Sequence, residues 1–112
     1  ETKSSSFIIP DYVFVKDNHR FKKIALDSIY YVEAFGSYID IHTESVKFTL
    51  AINLKAFESN LNEEMFLRVH RSFVINLNKV TEFEGNQVFV NNMAIPISLS
   101  HKKKFLERFK FI

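Results

Sequence analysis

The chain has 112 residues, 46% of them hydrophobic and 25% charged, with 13 Phe but only 2 Gly and 2 Pro; this suits one packed core and excludes a disordered tail. It has no Cys, which excludes disulfides, thiolate metal sites and thiol nucleophiles. The formal net charge of +2 is too small to argue by itself for a nucleic-acid partner.

The opening Glu1-Thr2-Lys3-Ser4-Ser5-Ser6 is polar and small, so residues 1–10 read as a linker or tail and 11–112 as one domain. A start at Glu1 rather than Met suggests the C-terminal piece of a longer protein. No apolar run approaches the roughly 20 residues that span a bilayer, and the first residues lack the apolar core of a signal peptide. The expectation is a cytoplasmic protein with no membrane partner.

From Tyr12 to Leu50, short β-branched and aromatic runs separated by polar breaks such as Lys16-Asp17-Asn18-His19 and Asp27-Ser28 predict consecutive short strands. Ile29 to Phe35, then Gly36-Ser37, then Tyr38 to Thr43 predicts a hairpin; Ile39 and Ile41 alternate with Asp40 and His42, which implies one wet face. Val46 to Leu50 predicts a further strand. Leu54, Phe57 and Leu61 recur at helical spacing behind Asn53, a plausible N-cap.

Phe66 to Val80 follows neither period cleanly and reads as strand pieces around a loop. Val80 to Glu84 and Gln87 to Val90 flank Gly85-Asn86, a two-residue hairpin connection. Ala94-Ile95-Pro96-Ile97 suits an edge strand, since Pro cannot donate to a ladder. A last helix, capped by Ser98 or Ser100, would bury Phe105, Leu106, Phe109 and Ile112 with its lysines outward. With no internal repeat and no βαβ alternation, the fold class is mainly β: small antiparallel sheets with two short helices.

Charge is unevenly spread. Residues 27–66 are mostly acidic, whereas Arg68, Arg71 and Lys79 stand without an acid in 68–80, and Lys102, Lys103, Lys104, Arg108 and Lys110 face Glu107 alone. Taken alone, a solvated basic face explains this as well as a DNA footprint does. Signals of catalysis are missing: there is no phosphate-binding Gly-rich loop, no GxSxG elbow and no HExxH. His19, His42, His70 and His101 lie far apart and Glu63-Glu64 sits in a polar connector, so no enzyme, metal or cofactor is expected.

One segment stands out: Phe66-Leu67-Arg68-Val69-His70-Arg71-Ser72-Phe73-Val74-Ile75-Asn76. Apolar anchors alternate with dense hydrogen-bonding capacity, which suits a rigid loop with polar tips. It resembles the F-x-R-x-H-R-S-[FY]-x-V/I-N pattern of LytTR-type DNA-binding domains, found in bacterial response regulators behind a receiver domain. The resemblance runs from about Ile24 to Phe109. Ile29-Tyr30-Tyr31-Val32-Glu33-Ala34 with Gly36-Ser37-Tyr38 is similar to the family's opening, and Ile95-Pro96-Ile97-Ser98 with the lysine-rich helix to its close.

The resemblance implies an elongated fold whose loops enter major grooves of double-stranded DNA carrying direct repeats, bound by a homodimer, with a receiver domain upstream. By position it implies DNA contacts from Ser37 and Tyr38, from His70 and Arg71, and from Ser98, Ser100, His101, Lys102 and Lys103. Arg71 is the first choice for a base contact, because guanidinium binds guanine O6 and N7 bidentately; a surface salt-bridge role is its alternative. His70 either reaches the DNA or donates its ring N–H inward to hold the loop. Tyr38 either contacts DNA or packs. Arg68 covers the core with its stem, and Asn76 ties backbone groups. Leu99 departs from the family pattern, where the position after Ser98 is commonly basic, so this third segment reads as a phosphate holder. A β-rich protein-interaction module without nucleic acid is the competing reading.

Overall fold

The computed structural model describes residues 11–112; the expected linker at 1–10 lies outside them. The chain opens with a two-stranded hairpin, β1 (Tyr12–Asp17) and β2 (Arg20–Ala25). A five-stranded sheet follows, made of β3 (Ile29–Phe35), β4 (Tyr38–Thr43), β5 (Lys47–Leu50), β6 (Phe66–His70) and β7 (Phe73–Asn76). Its order is β5-β4-β3-β7-β6 and every neighbouring pair is antiparallel. A three-stranded sheet closes the set with β8 (Val80–Glu84), β9 (Gln87–Val90) and β10 (Met93–Pro96), β10 on its edge as its proline requires. The helices are α1 (Leu54–Glu58) and α2 (Leu99–Leu106). The expected class, mainly β with two short helices, is the one observed.

Turn chemistry explains the hairpins. Gly36 and Gly85 take φ of +52° and +58° at the first central position of two-residue turns, as type II′ geometry demands. Asn91 and Asn92 both have positive φ between Val90 and Met93, the type I′ pattern, so Asn-Asn forms the β9–β10 connection. Asn53 caps α1 as predicted, its side chain accepting from the Ala56 N–H at 2.7 Å.

The central sheet is covered on both sides. Val32 and Val74, paired across β3 and β7, join a core with Val15, Ile24 and α1 residues Leu54 and Phe57. Tyr31 and Ile75, the adjacent pair, join a second core with Val88, Val90, Ile95 and Phe105 of the three-stranded sheet and α2. The face predicted to be wet is therefore partly closed. Asp40 is buried, accepts from Thr49 Oγ1 at 2.6 Å and lies 3.8 Å from Lys47 Nζ. His42 is stacked on the Tyr31 ring. At the C-terminus Phe105 is buried and Phe109 packs on it, but Ile112 is exposed, because α2 ends at Leu106 and cannot carry the apolar stripe that far.

Asn76 holds two elements together. It is fully buried, its Nδ2 donates to the Ile29 carbonyl at 2.8 Å, and its Oδ1 accepts from the Asn78 N–H at 2.9 Å. The end of β7 is thus tied to the start of β3 and caps the 3-10 turn Leu77–Lys79. Asn76→Ala leaves a buried carbonyl and an N–H unpaired and is expected to cost about 2–4 kcal/mol. Urea unfolding checks this: the midpoint should drop with an unchanged slope, and a loss below about 0.5 kcal/mol would contradict the assigned role.

Candidate nucleic-acid interface

The β6–β7 turn is built around Arg68. Its Nε donates to the His70 carbonyl at 2.9 Å, one terminal nitrogen to the Arg71 carbonyl at 2.6 Å and the other to Glu58 Oε1 of α1 at 2.8 Å. The planar fork thereby clamps two successive carbonyls of the turn while α1 fixes its direction. Arg68 does more than cover apolar surface. Its partner Glu58 lies ten positions away and left no local pattern in the sequence.

His70 adds a second brace. Its Nδ1 accepts the Ser72 backbone N–H at 3.0 Å, so the neutral ring carries its proton on Nε2. Of the two roles open to His70, reaching DNA or bracing the loop, the brace is present with its direction reversed: the ring accepts inward rather than donating, which leaves Nε2–H as the remaining donor. The ring also packs edge-on against Phe73. Arg71, at the tip, is exposed, and among the described residues its guanidinium has no hydrogen-bond or salt-bridge partner.

The other two segments come to the same end of the central sheet. Glu33 pairs with Phe73, and the Ala34 N–H donates to the Ser72 carbonyl at 2.9 Å, so the Gly36-Ser37 turn stands beside the Arg71-Ser72 turn. Tyr38 is 52% exposed rather than packed, opposite Phe35, and Ser37 is exposed beside it. On the far edge the Ser98 N–H donates to the Val69 carbonyl at 2.9 Å, which places the start of α2 next to His70.

Ser98 occupies the N-cap position of α2 but makes no side-chain cap bond. Its hydroxyl is hydrogen-bonded to His101 Nδ1, with Ser100 Oγ 3.3 Å from the same nitrogen. Burial, and after it the nearby Arg68 guanidinium, hold the His101 ring below the usual histidine range. Lys102 turns away toward the β8–β9 turn, its Nζ 3.0 Å from Asn86 Oδ1, while Lys103 is exposed. Leu99 projects into solvent. A third basic stretch, Lys16, Arg20, Lys22 and Lys23, lies on the β1–β2 hairpin and is legible in the sequence as a local run of charge; Lys22 is paired with Asp17 at 3.1 Å.

Comparison with known proteins follows this geometry. The LytTr DNA-binding domain family model matches residues 19–110. The transcriptional regulatory protein YpdB of Escherichia coli is 33% identical over 87 residues, which cover 71% of this chain and 36% of YpdB. The sensory transduction protein LytT of Enterococcus faecalis is 24% identical over 100 residues, 84% of this chain and 41% of LytT. The chain thus spans little more than a third of the first relative and under half of the second. A solved LytTr DNA-binding domain from Bacillus cereus shares the fold, with a TM-score of 0.77 at 23% identity over 91% of this chain and 99% of that one.

Two outcomes test the geometry. Arg68→Met removes the clamp, and hydrogen exchange at the Ser72 and Phe73 amides should accelerate about tenfold or more while β8–β9 amides stay protected; unchanged exchange would contradict the clamp. The second concerns pH. Burial lowers His42 as it lowers His101, so below about pH 6.5 the unfolded chain takes up protons that the fold resists. The contribution of both rings is full above that pH and is lost as pH falls. Glu33, raised by burial and by Asp40, acts in the opposite sense. Urea midpoints between pH 7.5 and 5.5 should therefore fall less steeply in His42→Gln/His101→Gln than in the unsubstituted chain.

Proposed function

This chain belongs to the LytTr DNA-binding domain family, and from that premise we propose that it is the sequence-specific DNA-binding domain of a bacterial transcription regulator, reading the major groove through Arg71. The observation that carries this is an exposed guanidinium, without a partner among the described residues, on a turn whose carbonyls are clamped by a second arginine. With the backbone already held, docking orders only the side chain, at about 0.5–1.5 kcal/mol, which favours the bidentate contact to guanine over one made from a mobile loop.

The neighbouring segments take supporting parts. Ser37 and Tyr38 contact the adjacent sugar-phosphate backbone or base edges. His70 offers Nε2–H to a phosphate while bracing the turn. Ser98, Ser100, His101 and Lys103 hold phosphates beside the start of α2, and Lys102 joins them by exchanging Asn86 for a phosphate. In the full-length protein the proposed partner is an upstream receiver domain, for which the greater length of YpdB and LytT leaves room. Two copies then bind paired direct repeats, in the cytoplasm where the bacterial chromosome lies. No helix among the described residues is long and apolar enough to cross a membrane.

The test begins with a randomised duplex pool, from which the bound fraction is sequenced and the enriched site is taken into fluorescence anisotropy. A defined motif should emerge, and Arg71→Ala should bind it about ten- to a hundredfold more weakly with relaxed preference at one guanine. The logarithm of the affinity should fall by about 0.9 per neutralised phosphate for each tenfold rise in salt. Equal binding by Arg71→Ala would remove Arg71 from the base-reading role, and no binding at low salt by a folded, concentrated sample would overturn the reading.

A further inference from the structure

Leu99 is a large apolar side chain, with no assigned contact, between Ser98 and Ser100 at the start of α2. It is 80% exposed at the first position of α2. An exposed leucine by itself means little. Its placement is what differs. The Ser98 N–H bond to the Val69 carbonyl fixes the preceding residue against β6, and buried Phe105 anchors the helix behind it. Leu99 is therefore held beside the His70-Arg71 turn on rigid backbone.

Its surroundings narrow what it can meet. Ser98, Ser100, His101, Arg71 and Lys103 make the neighbourhood polar and cationic. A protein partner of ordinary stability covers about 800 Å² on each side, mostly with apolar and aromatic groups at its centre. One leucine among polar and cationic groups, with only the Phe35 and Tyr38 rings exposed on the next turn, falls well short of that. A phosphate gains nothing from it either. In the major groove, however, thymine presents an apolar group, the C5-methyl, among donors and acceptors that mark the other bases.

We propose that Leu99 is a specificity-determining residue that packs its methyl groups on the C5-methyl of a thymine in the bound site. The inference rests on the DNA-binding reading. The contact favours thymine directly, and it disfavours guanine or cytosine at that position, because leucine would strip water from their polar edges and return no hydrogen bond. The third segment thereby reads a base without the basic side chain that such a segment commonly carries. Phe35, exposed on the next turn, is an apolar group at this end with no assigned contact and serves as the control.

The enriched duplex is resynthesised with each thymine replaced in turn by deoxyuridine, which lacks only the methyl. Anisotropy is measured with the unsubstituted protein, Leu99→Ala and Phe35→Ala. Both positions are solvent-exposed, and thermal unfolding confirms that each variant folds. One deoxyuridine should weaken the unsubstituted protein about fourfold, the worth of one buried methyl. The same replacement should cost Leu99→Ala nothing and Phe35→Ala the full factor. Leu99→Arg, taken through a fresh selection, should change the preferred base at that position from thymine to guanine. If every deoxyuridine costs Leu99→Ala as much as the unsubstituted protein, or if the coupling follows Phe35, the proposal falls while DNA binding stands. Failure of the unsubstituted protein to bind any duplex at low salt overturns both.

Discussion

β3 and β7 send Val32 and Val74 to one side of the central sheet and Tyr31 and Ile75 to the other, so the sheet has to be covered twice. The described residues hold no long helix with which to do so. It uses the β1–β2 hairpin with α1 on one side and the three-stranded sheet with α2 on the other. Edge strand β6 is where the two covers meet. Arg68 reaches Glu58 of α1 on one side, and bulged Val69 enters the second core while its carbonyl receives the Ser98 N–H. The turn that follows is a corner pinned from both directions.

The pinning matters more as geometry than as stability. The Arg68–Glu58 pair is partly exposed, and such pairs contribute at most about 1 kcal/mol. Its effect is to aim the guanidinium at the His70 and Arg71 carbonyls, which would otherwise face water at the tip of a short hairpin. His70 occupies the Ser72 N–H in the same way. With these backbone groups satisfied internally, the turn is held by three hydrogen bonds, and Arg71 projects from a braced backbone. The bulge at Val69 increases the local twist and directs the turn away from the sheet plane.

How much of this could be read beforehand depended on the range of the interaction. Local chemistry was legible: Gly36-Ser37 and Gly85-Asn86 as turns, Asn53 as a cap, Pro96 on an edge strand. Asn91-Asn92 carried an equally local signal, since both residues tolerate positive φ. Contacts made across the fold were not legible. The role of Arg68 requires Glu58, the burial of Asp40 requires Thr49 from the next strand, and the diversion of Ser98 from capping requires His101 to be turned toward it. Period-two alternation marked Asp40 and His42 as a polar face correctly but could not show that a Tyr31 ring lies over part of it. The arrival of three sequence-distant segments at one end came from family resemblance, because composition and spacing carry no information on which turns are neighbours.

Position and identity are separated at this end of the molecule. Arg68, Val69, Asn76 and Phe105 set where the backbone goes, and each is buried or bonded within the fold. Ser37, Tyr38, Arg71 and Leu99 sit on that backbone with exposed side chains. Substitution at exposed positions of this kind typically shifts stability by less than about 0.5 kcal/mol. Side chains at the tips can therefore vary without threatening the fold, whereas loss of the clamp loosens the turn and loss of the buried amide costs stability. A leucine where a basic residue is common in the family is a change of this permitted kind. The scaffold tolerates it because the peptide that carries Leu99 is fixed by the Val69 carbonyl and the anchored helix behind it, independently of the side chain.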